Sequence, residues 1–541
     1  MQMMTKSTCL NTMRHMEMGR PRPASEDGLG SGRLQADKHT PDQLEKYLDA
    51  GKCFIDPDRI ISLLRENAVP DATQVRDILK KSLNIETLSS AETACLLNVS
   101  DPGLWDEMAA AAAVIKKKVY DNRIVTFAPL YCGNLCENDC QYCGFRKSNT
   151  AIKRKILTMD EVRKETEALA GLIGHKRLII VCGEHPSTGV EYIAETIRTI
   201  MGVKVKTRGG FGQIRRCNVN AAPMTVEELK ILREAGIGTY QVFQETYHPE
   251  TYCRLHPAGT IKANYLWRLY AMHRALEAGC DDVGLGALFG LHDWKFEVMG
   301  LLAHARELED KFGIGPHTIS FPRLEPAENT PFVQQTGFKT SDADFKKLVI
   351  VIRLAVPYTG MILTARENAE MRRQILPLGC TQTDASSNIG IGSYAATANR
   401  QAAVRQAACR QTATRQTAAR QEGEKQQFLL GDMRSLDEVV RELAGAGYIT
   451  SFCTAGYRCG RTGRKIMTLL RCGKEGVFCK LNAVLTFREW LDDFASPATM
   501  AAGEKIIAAE IEEIRTKLPD IFPQFVDFYD KVKGGTRDIY F

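Results

Sequence analysis

The amino-acid sequence predicts an α/β protein: a (β/α)8 TIM-type barrel with an N-terminal helical region and a helical C-terminal domain. Three observations lead there. Between about residues 120 and 375, short runs rich in β-branched and aromatic residues alternate with amphipathic helical stretches. A cluster of cysteines follows the first of those runs, where a barrel places its chemistry. The flanks on either side carry helical spacing.

Taken in order, residues 1–34 hold Met, Arg, Ser and Gly with few acids and no periodicity. They lack the apolar core of roughly 7–15 residues that a secretory signal needs. They read as a disordered extension, with an organellar transit peptide as the alternative. Residues 35–118 form the N-terminal helical region. Thr40, Pro41 and Asp42 offer a cap with proline at the first helical position, followed by Leu44 and Leu48, then Ile60, Leu63 and Leu64 at helical spacing. The alanine run Ala109–Ala113 leads into Lys116–Lys118 as a further helix.

Residues 119–394 make the barrel. Expected strands are Ile124–Ala128, Arg177–Val181, Thr239–Phe243, Asp282–Gly286, Thr318–Phe321 and Gly360–Thr364. Expected helices between them include Thr158–Gly171, Thr225–Ala235, Asn264–Ala278 and Asp342–Val356. Residues 395–427 are a low-complexity insert in which Arg400, Arg405, Arg410, Arg415 and Arg420 are each followed by Gln. A step of five residues turns each arginine by about 140° on a helix, so no single basic face forms. No aromatics interleave to stack bases, and the segment reads as a surface linker. Residues 428–541 form the C-terminal helical domain, with Cys453, Cys459, Cys472 and Cys479.

At 541 residues the chain is long enough for two or three domains with substantial cores. Its 44% apolar and 25% charged residues are ordinary for a globular protein. No apolar run approaches the roughly 18 residues of a membrane span. A net charge of +6 gives no reason to expect nucleic acid. Seventeen cysteines point to metal or redox chemistry and a reducing, oxygen-poor compartment. The cytoplasm is expected, with the matrix of an anaerobic organelle as the alternative.

Cys136, Cys140 and Cys143 form a C-x3-C-x2-C triplet. Three thiolates can hold three irons of a 4Fe-4S cubane and leave the fourth open to an external ligand. The alternative is a zinc knuckle completed by Cys132, although zinc sites usually pair their ligands as two separated units. One β-α unit later, Glu184 in Val181–Pro186 sits where a carboxylate can accept hydrogen bonds from the amino group of that ligand. A structural carboxylate at a helix N-terminus is its alternative. Polar residues gather at other strand ends: Arg215, Arg216, Asn218 and Asn220, then Gln244–His248, then Pro322–Pro326. Arg323 suits bidentate recognition of a substrate carboxylate, with a rim salt bridge as the alternative.

The triplet, with Tyr142 just before its last cysteine, resembles the signature of the radical S-adenosylmethionine (SAM) superfamily. There the cysteines hold a SAM-binding 4Fe-4S cluster, Tyr142 lies against the cofactor, and the segment at Glu184 receives the methionine amino group. Further segments extend the likeness in order: Ile214–Asn220, Phe243–His248, Asp281–Gly286, Gly315–Ser320, Phe452–Arg458 and Gly460–Gly463. Apart from the insert, about residues 40–541 resemble the HydG family, the tyrosine-cleaving radical SAM maturases of [FeFe]-hydrogenase. The resemblance implies a carbon–carbon lyase that cleaves SAM reductively and splits L-tyrosine into p-cresol and dehydroglycine. It implies a second, C-terminal iron–sulfur cluster with an extra iron, converting dehydroglycine to CO and cyanide for H-cluster assembly. The implied partners are tyrosine, a reducing electron donor, and [FeFe]-hydrogenase or its assembly scaffold; nucleic acid and membrane are not expected.

The HydG pattern holds the second cluster with C-x2-C-x22-C. Cys453 and Cys479 match it, but the middle position is Gly456, which has no ligand atom. Cys459, three residues on, is the expected substitute if that segment is helical. His317 is expected to bind the extra iron from the opposite barrel mouth, with a capped histidine at a strand start as the alternative. The region Gln382–Gly392 also strays from the family pattern. Three other readings stand beside the full reaction: a tyrosine lyase stopping at dehydroglycine, as in thiazole synthesis, a lyase of tryptophan or another amino acid on the same barrel, and a non-catalytic iron–sulfur scaffold.

Overall fold

Eleven consecutive buried residues, Arg123–Gly133, form strand β1 of the computed structural model. The structure describes residues 42–398, 426–471 and 475–541. The extension over 1–34, the cap at Thr40 and Pro41, residues 399–425 of the insert and Cys472 lie outside the described residues. After β1 come β2 (Arg177–Cys182), a small antiparallel pair β3 (Val205–Lys206) and β4 (Phe211–Gly212), then β5 (Arg216–Asn220) and β6 (Thr239–Gln241). They are followed by β7 (Asp282–Gly286), β8 (Thr318–Ser320), β9 (Gly360–Leu363), β10 (Gln382–Asp384) and β11 (Ile449–Ser451). Strands β1, β2 and β5 to β10 pair in parallel in that order, and β10 returns to β1, so eight strands close a barrel. The (β/α)8 expectation holds.

Strand β2 shows why these residues choose this architecture. Leu178 and Ile180 are fully buried in the main core, while Ile179, pointing the other way, packs with Phe127 and Ile362 inside the barrel. A strand buried on both faces needs a continuous apolar run, and Arg177–Val181 supplies one. Burying each such side chain contributes about 1.5–3 kcal/mol. The helices around the barrel begin with the caps their sequences offer. Thr158 and Thr225 form capping boxes with Glu161 and Glu228, and Ser341 caps Asp342–Ala355.

The first region contributes helices at Pro57–Glu66, Ala72–Leu83, Ser90–Leu97 and Pro102–Tyr120. The C-terminal domain is helical, with its longest helices at Glu475–Phe494 and Pro497–Lys517. It also lends β11 to the barrel: Arg123–Val125 of β1 run parallel to Ile449–Ser451. Buried ion pairs bind this domain to the start of β2 and β5. Glu489 lies 3.0 Å from Lys176 and 2.9 Å from Arg215, and all three side chains are essentially inaccessible. Burial alone would raise the Glu489 carboxyl, but Lys176 and Arg215 overcome it and hold the pKa down to about 2. Among the described residues, no helix is long and apolar enough to cross a membrane.

Strand β5 was not expected as a strand, because Arg-Cys-Asn-Val-Asn reads as polar. Inside a barrel the alternation resolves it. Cys217 and Val219 join the outer core, while Arg216 and Asn218 hydrogen-bond to each other in the interior. Strand β10 is polar for the same reason: Gln382 Oε1 accepts from Arg177 at 3.1 Å.

Candidate active site at the barrel mouth

The chain leaving β1 forms an irregular loop from Asn134 to Lys155, whose carbonyls have no ladder to pair with. Arg154 supplies the missing donors. Its guanidinium donates to the carbonyls of Asn134 (2.7 Å), Phe145 (2.8 Å), Arg146 (2.6 Å) and Asn149 (3.0 Å), gathering both ends of the loop. Asn149 adds a bond to the Gly144 carbonyl at 2.9 Å. The loop is pressed against the end of β2 at Gly183, where a Cβ would come within 2.2 Å of the Leu135 carbonyl oxygen. Only glycine fits, which couples the cysteine loop to Glu184 next to it.

Inside this loop Cys136, Cys140 and Cys143 line one cavity of about 220 Å³ at the C-terminal ends of the strands. Tyr142 and Glu184 line it too. Burial, reinforced by the neighbouring Cys143, raises the Cys136 thiol. Burial likewise pushes Cys140 up to about 12, with Cys143 and Cys136 adding to it against Lys262. Cys136 and Cys140, both raised, need a cation beside them to become thiolates together. Asn138 donates to Glu184 Oε2 at 2.5 Å, and burial raises the Glu184 carboxyl. The Tyr142 hydroxyl is 2.8 Å from His256 Nε2, while His256 Nδ1 is 2.8 Å from the Tyr252 carbonyl. The carbonyl can only accept, so Nδ1 carries the hydrogen and Tyr142 donates to Nε2.

Residues that were not singled out from the sequence complete the wall. Lys262 lies 2.6 Å and Arg268 3.4 Å from Glu245. Glu245 is held in the left-handed region at φ 72°, a conformation costing about 1–3 kcal/mol that tends to cluster at functional sites. Arg366 lines the cavity with its guanidinium 3.4 Å over the Phe428 ring. Lys262, Arg268 and Arg366 lie on helices and loops remote from the cysteines, and nothing in their local spacing marks them.

Arg323 is placed differently from expectation. It does not line this cavity: its guanidinium takes both oxygens of Glu367, and also bonds Asp342 at 2.7 Å and the Thr340 carbonyl at 3.2 Å. The carboxylate partner it was expected to seek in a substrate is supplied within the chain. Cys132 is also apart from the triplet, buried with its thiol against Cys182. The zinc alternative loses its fourth ligand. At the far edge of the expected linker, Gln427 reaches the cavity wall as well.

At the opposite end of the barrel a smaller cavity, about 40 Å³, is lined by Cys453, Gly456, Cys479 and His317. It has room for about three waters. Cys453 stands at φ 48°, two residues beyond the end of β11. Cys459 is not part of this lining. The helix expected to turn it inward is only Ala455–Arg458, and Cys459 caps its end with Sγ donating to the Phe541 carbonyl at 3.3 Å. The substitution of Cys459 for the missing ligand is therefore corrected. As it stands, this cavity offers two thiols and one imidazole, one thiol short of the C-x2-C-x22-C set.

The Radical SAM superfamily profile matches residues 130–302, and the Biotin and Thiamin Synthesis associated domain matches 320–449. The chain is 30% identical over 319 residues to the 2-iminoacetate synthase of Escherichia coli K12, spanning 59% of this chain and 80% of that protein. A crystal structure of HydG, a maturase of the [FeFe]-hydrogenase, matches with 44% identity and a TM-score of 0.81, covering 90% of this chain and all of the other. The chain belongs to the HydG family of radical SAM proteins. The HydG maturase of Carboxydothermus hydrogenoformans is similar at 35% identity and TM-score 0.69, over 88% of this chain and 97% of that one. Membership in the radical SAM superfamily implies a 4Fe-4S cluster and SAM. The cysteine triplet on the larger cavity fits that cluster by donor number and type.

Proposed function

We propose that this HydG-family protein cleaves L-tyrosine to p-cresol and dehydroglycine and serves [FeFe]-hydrogenase maturation. The observation that carries the reading is the convergence of Cys136, Cys140, Cys143, Tyr142 and Glu184 on one cavity at the barrel mouth. Bound to the triplet, the cluster would supply the electron that splits SAM and starts radical chemistry. Glu184, oriented by Asn138, would receive the methionine amino group. Tyr142, fixed by His256, would wall the cofactor side. With Arg323 engaged by Glu367 and Asp342 and Arg268 beside Glu245, Arg366 would be the cavity arginine to anchor the tyrosine carboxylate: among the described residues its guanidinium makes a long 3.4 Å hydrogen bond to the Arg323 carbonyl. The apolar interior formed by Phe127, Ile179 and Ile362 keeps water from the reacting centre.

Conversion of dehydroglycine to CO and cyanide for the H-cluster is the further part of this reading. A second cluster with an extra iron would draw on Cys453, Cys479 and His317, but the donor set is one thiol short and no step is derived through it. A second reading, a lyase ending at dehydroglycine, is favoured by Gly456 and by the position of Cys459. An anaerobic assay with SAM, tyrosine and dithionite separates them when p-cresol and CO are measured from one vial. Both products support the full reaction. p-Cresol alone supports the lyase. Neither product, with iron loading verified, overturns the proposal.

A further inference from the structure

Gln427, the last residue of the segment expected to be a surface linker, reaches across the barrel mouth to the cysteine loop. Its Nε2 lies 3.5 Å from Cys143 Sγ, and its Oε1 accepts from the Tyr131 hydroxyl at 3.1 Å. Tyr131 sits on β1, and its hydroxyl takes the oxygen end of the amide while the nitrogen end faces the sulfur. The backbone is held too. Gly144 donates its N–H to the Gln427 carbonyl at 3.2 Å, and a Cβ on Gly144 would come within 2.7 Å of that oxygen. One residue on, Phe428 stacks under Arg366, and Leu429 donates to the Pro326 carbonyl at 2.9 Å. A flexible linker end would have none of these fastenings.

We propose that Gln427 is a positioning residue for the triplet, donating an N–H···S bond to Cys143 while Tyr131 holds the other end of the amide, and thereby raising the cluster's reduction potential. The inference rests on the reading of the triplet as a cluster site. Hydrogen bonds to ligand sulfurs are among the levers that set iron–sulfur potentials. A donor at the sulfur stabilises the more negative, reduced state more than the oxidised one, so it eases reduction of the cluster by the electron donor, the step that must precede SAM cleavage. An ionised sulfur only accepts, so it takes the N–H end of the amide, and the Tyr131 hydroxyl donates to the oxygen that is left.

The test is an EPR-monitored redox titration of the reconstituted full chain, following the signal that SAM perturbs, together with iron content. Gln427→Leu removes the donor and should lower the reduced-to-oxidised ratio at a fixed potential about tenfold, or about 59 mV for one electron. Tyr131→Phe should shift it less, in the same direction, and provides the measurement if Gln427→Leu does not fold. An unchanged midpoint in the iron-loaded fraction overturns the role of Gln427, including where iron content alone falls. A wild-type chain that assembles iron but shows no SAM-perturbed signal fails differently: it removes the cluster reading itself.

Discussion

The two ends of the barrel hold the same kinds of residue and differ in how completely they are built. At the C-terminal mouth, three thiols, a half-buried carboxylate and a buried tyrosine converge on about 220 Å³ of space. At the N-terminal mouth, two thiols and a histidine surround about 40 Å³, and the third position is Gly456. The upper ligands sit on one loop clamped by Arg154, so their placement is settled within twenty residues or so of sequence. The lower ones come from β11, the helix Glu475–Phe494 and the start of β8, and their arrangement depends on docking the C-terminal domain. A site on one loop keeps its geometry when distant parts change; a site shared among three elements loses it with any one of them.

The sharpest way to break this comparison is Cys140→Ala. Two thiols remain, too few for a cubane with one open iron, and SAM cleavage should fall to background in a 5′-deoxyadenosine assay. Turnover at the wild-type rate would remove the upper site as the catalytic one.

Next in size is the anchor of the lower region. Glu489→Gln leaves Lys176 and Arg215 buried without their carboxylate and should cost about 3–5 kcal/mol, read as a lower melting temperature. The pH dependence has a definite sign. Because the Glu489 carboxyl is held down to about 2 from its usual 4.5, its stabilisation is complete above about 4.5 and lost as pH falls toward 2. The variant should show a flatter acid limb in that window; parallel limbs would contradict the ion-pair account.

Arg366→Leu tests the substrate anchor. Losing a charged hydrogen bond costs about 1.5–3 kcal/mol, so kcat/KM for tyrosine should drop about 10- to 150-fold. SAM cleavage without tyrosine should persist. If Arg323→Leu gives the tyrosine-specific loss instead, Arg323 exchanges its carboxylate partners for the substrate.

The smallest effects belong to the lower cavity. A Cβ at Gly456 would meet only the Arg461 carbonyl oxygen at 3.3 Å and the Arg461 Cβ at 4.0 Å, a contact relieved by a shift of tenths of an ångström. Gly456→Cys should therefore fold normally and retain extra iron, with more CO per p-cresol than wild type. Cys459→Ala should leave iron content unchanged, since its thiol is engaged with the Phe541 carbonyl. Iron loss in that variant would restore Cys459 as a ligand.

Much of the barrel was legible before any coordinates. The strands at Arg177, Asp282, Thr318 and Gly360 carry the apolar runs that burial on both faces demands. Strands β5 and β10 were not legible, because their polar groups find partners inside the closed barrel: Arg216 and Asn218 bond each other and Thr239 of β6, and Gln382 bonds Arg177 of β2. The helices Val190–Gly202 and Trp294–Phe312 were also not singled out. The upper ligands could be read from spacing alone. The engagement of Arg323 by Glu367 could not, since those residues stand 44 apart in the chain.

The sequence by itself determined the barrel and the cysteine triplet, because each rests on local spacing: alternation along strands, 3.6-residue periodicity and three cysteines within eight residues; the family it carried only as a resemblance of several segments in order. Only the tertiary structure decided that Cys459 turns away, that Arg366 faces the cavity and that Gln427 meets Cys143. Those outcomes depend on which buried polar group finds a partner first across long stretches of chain, and a one-dimensional pattern does not contain that competition.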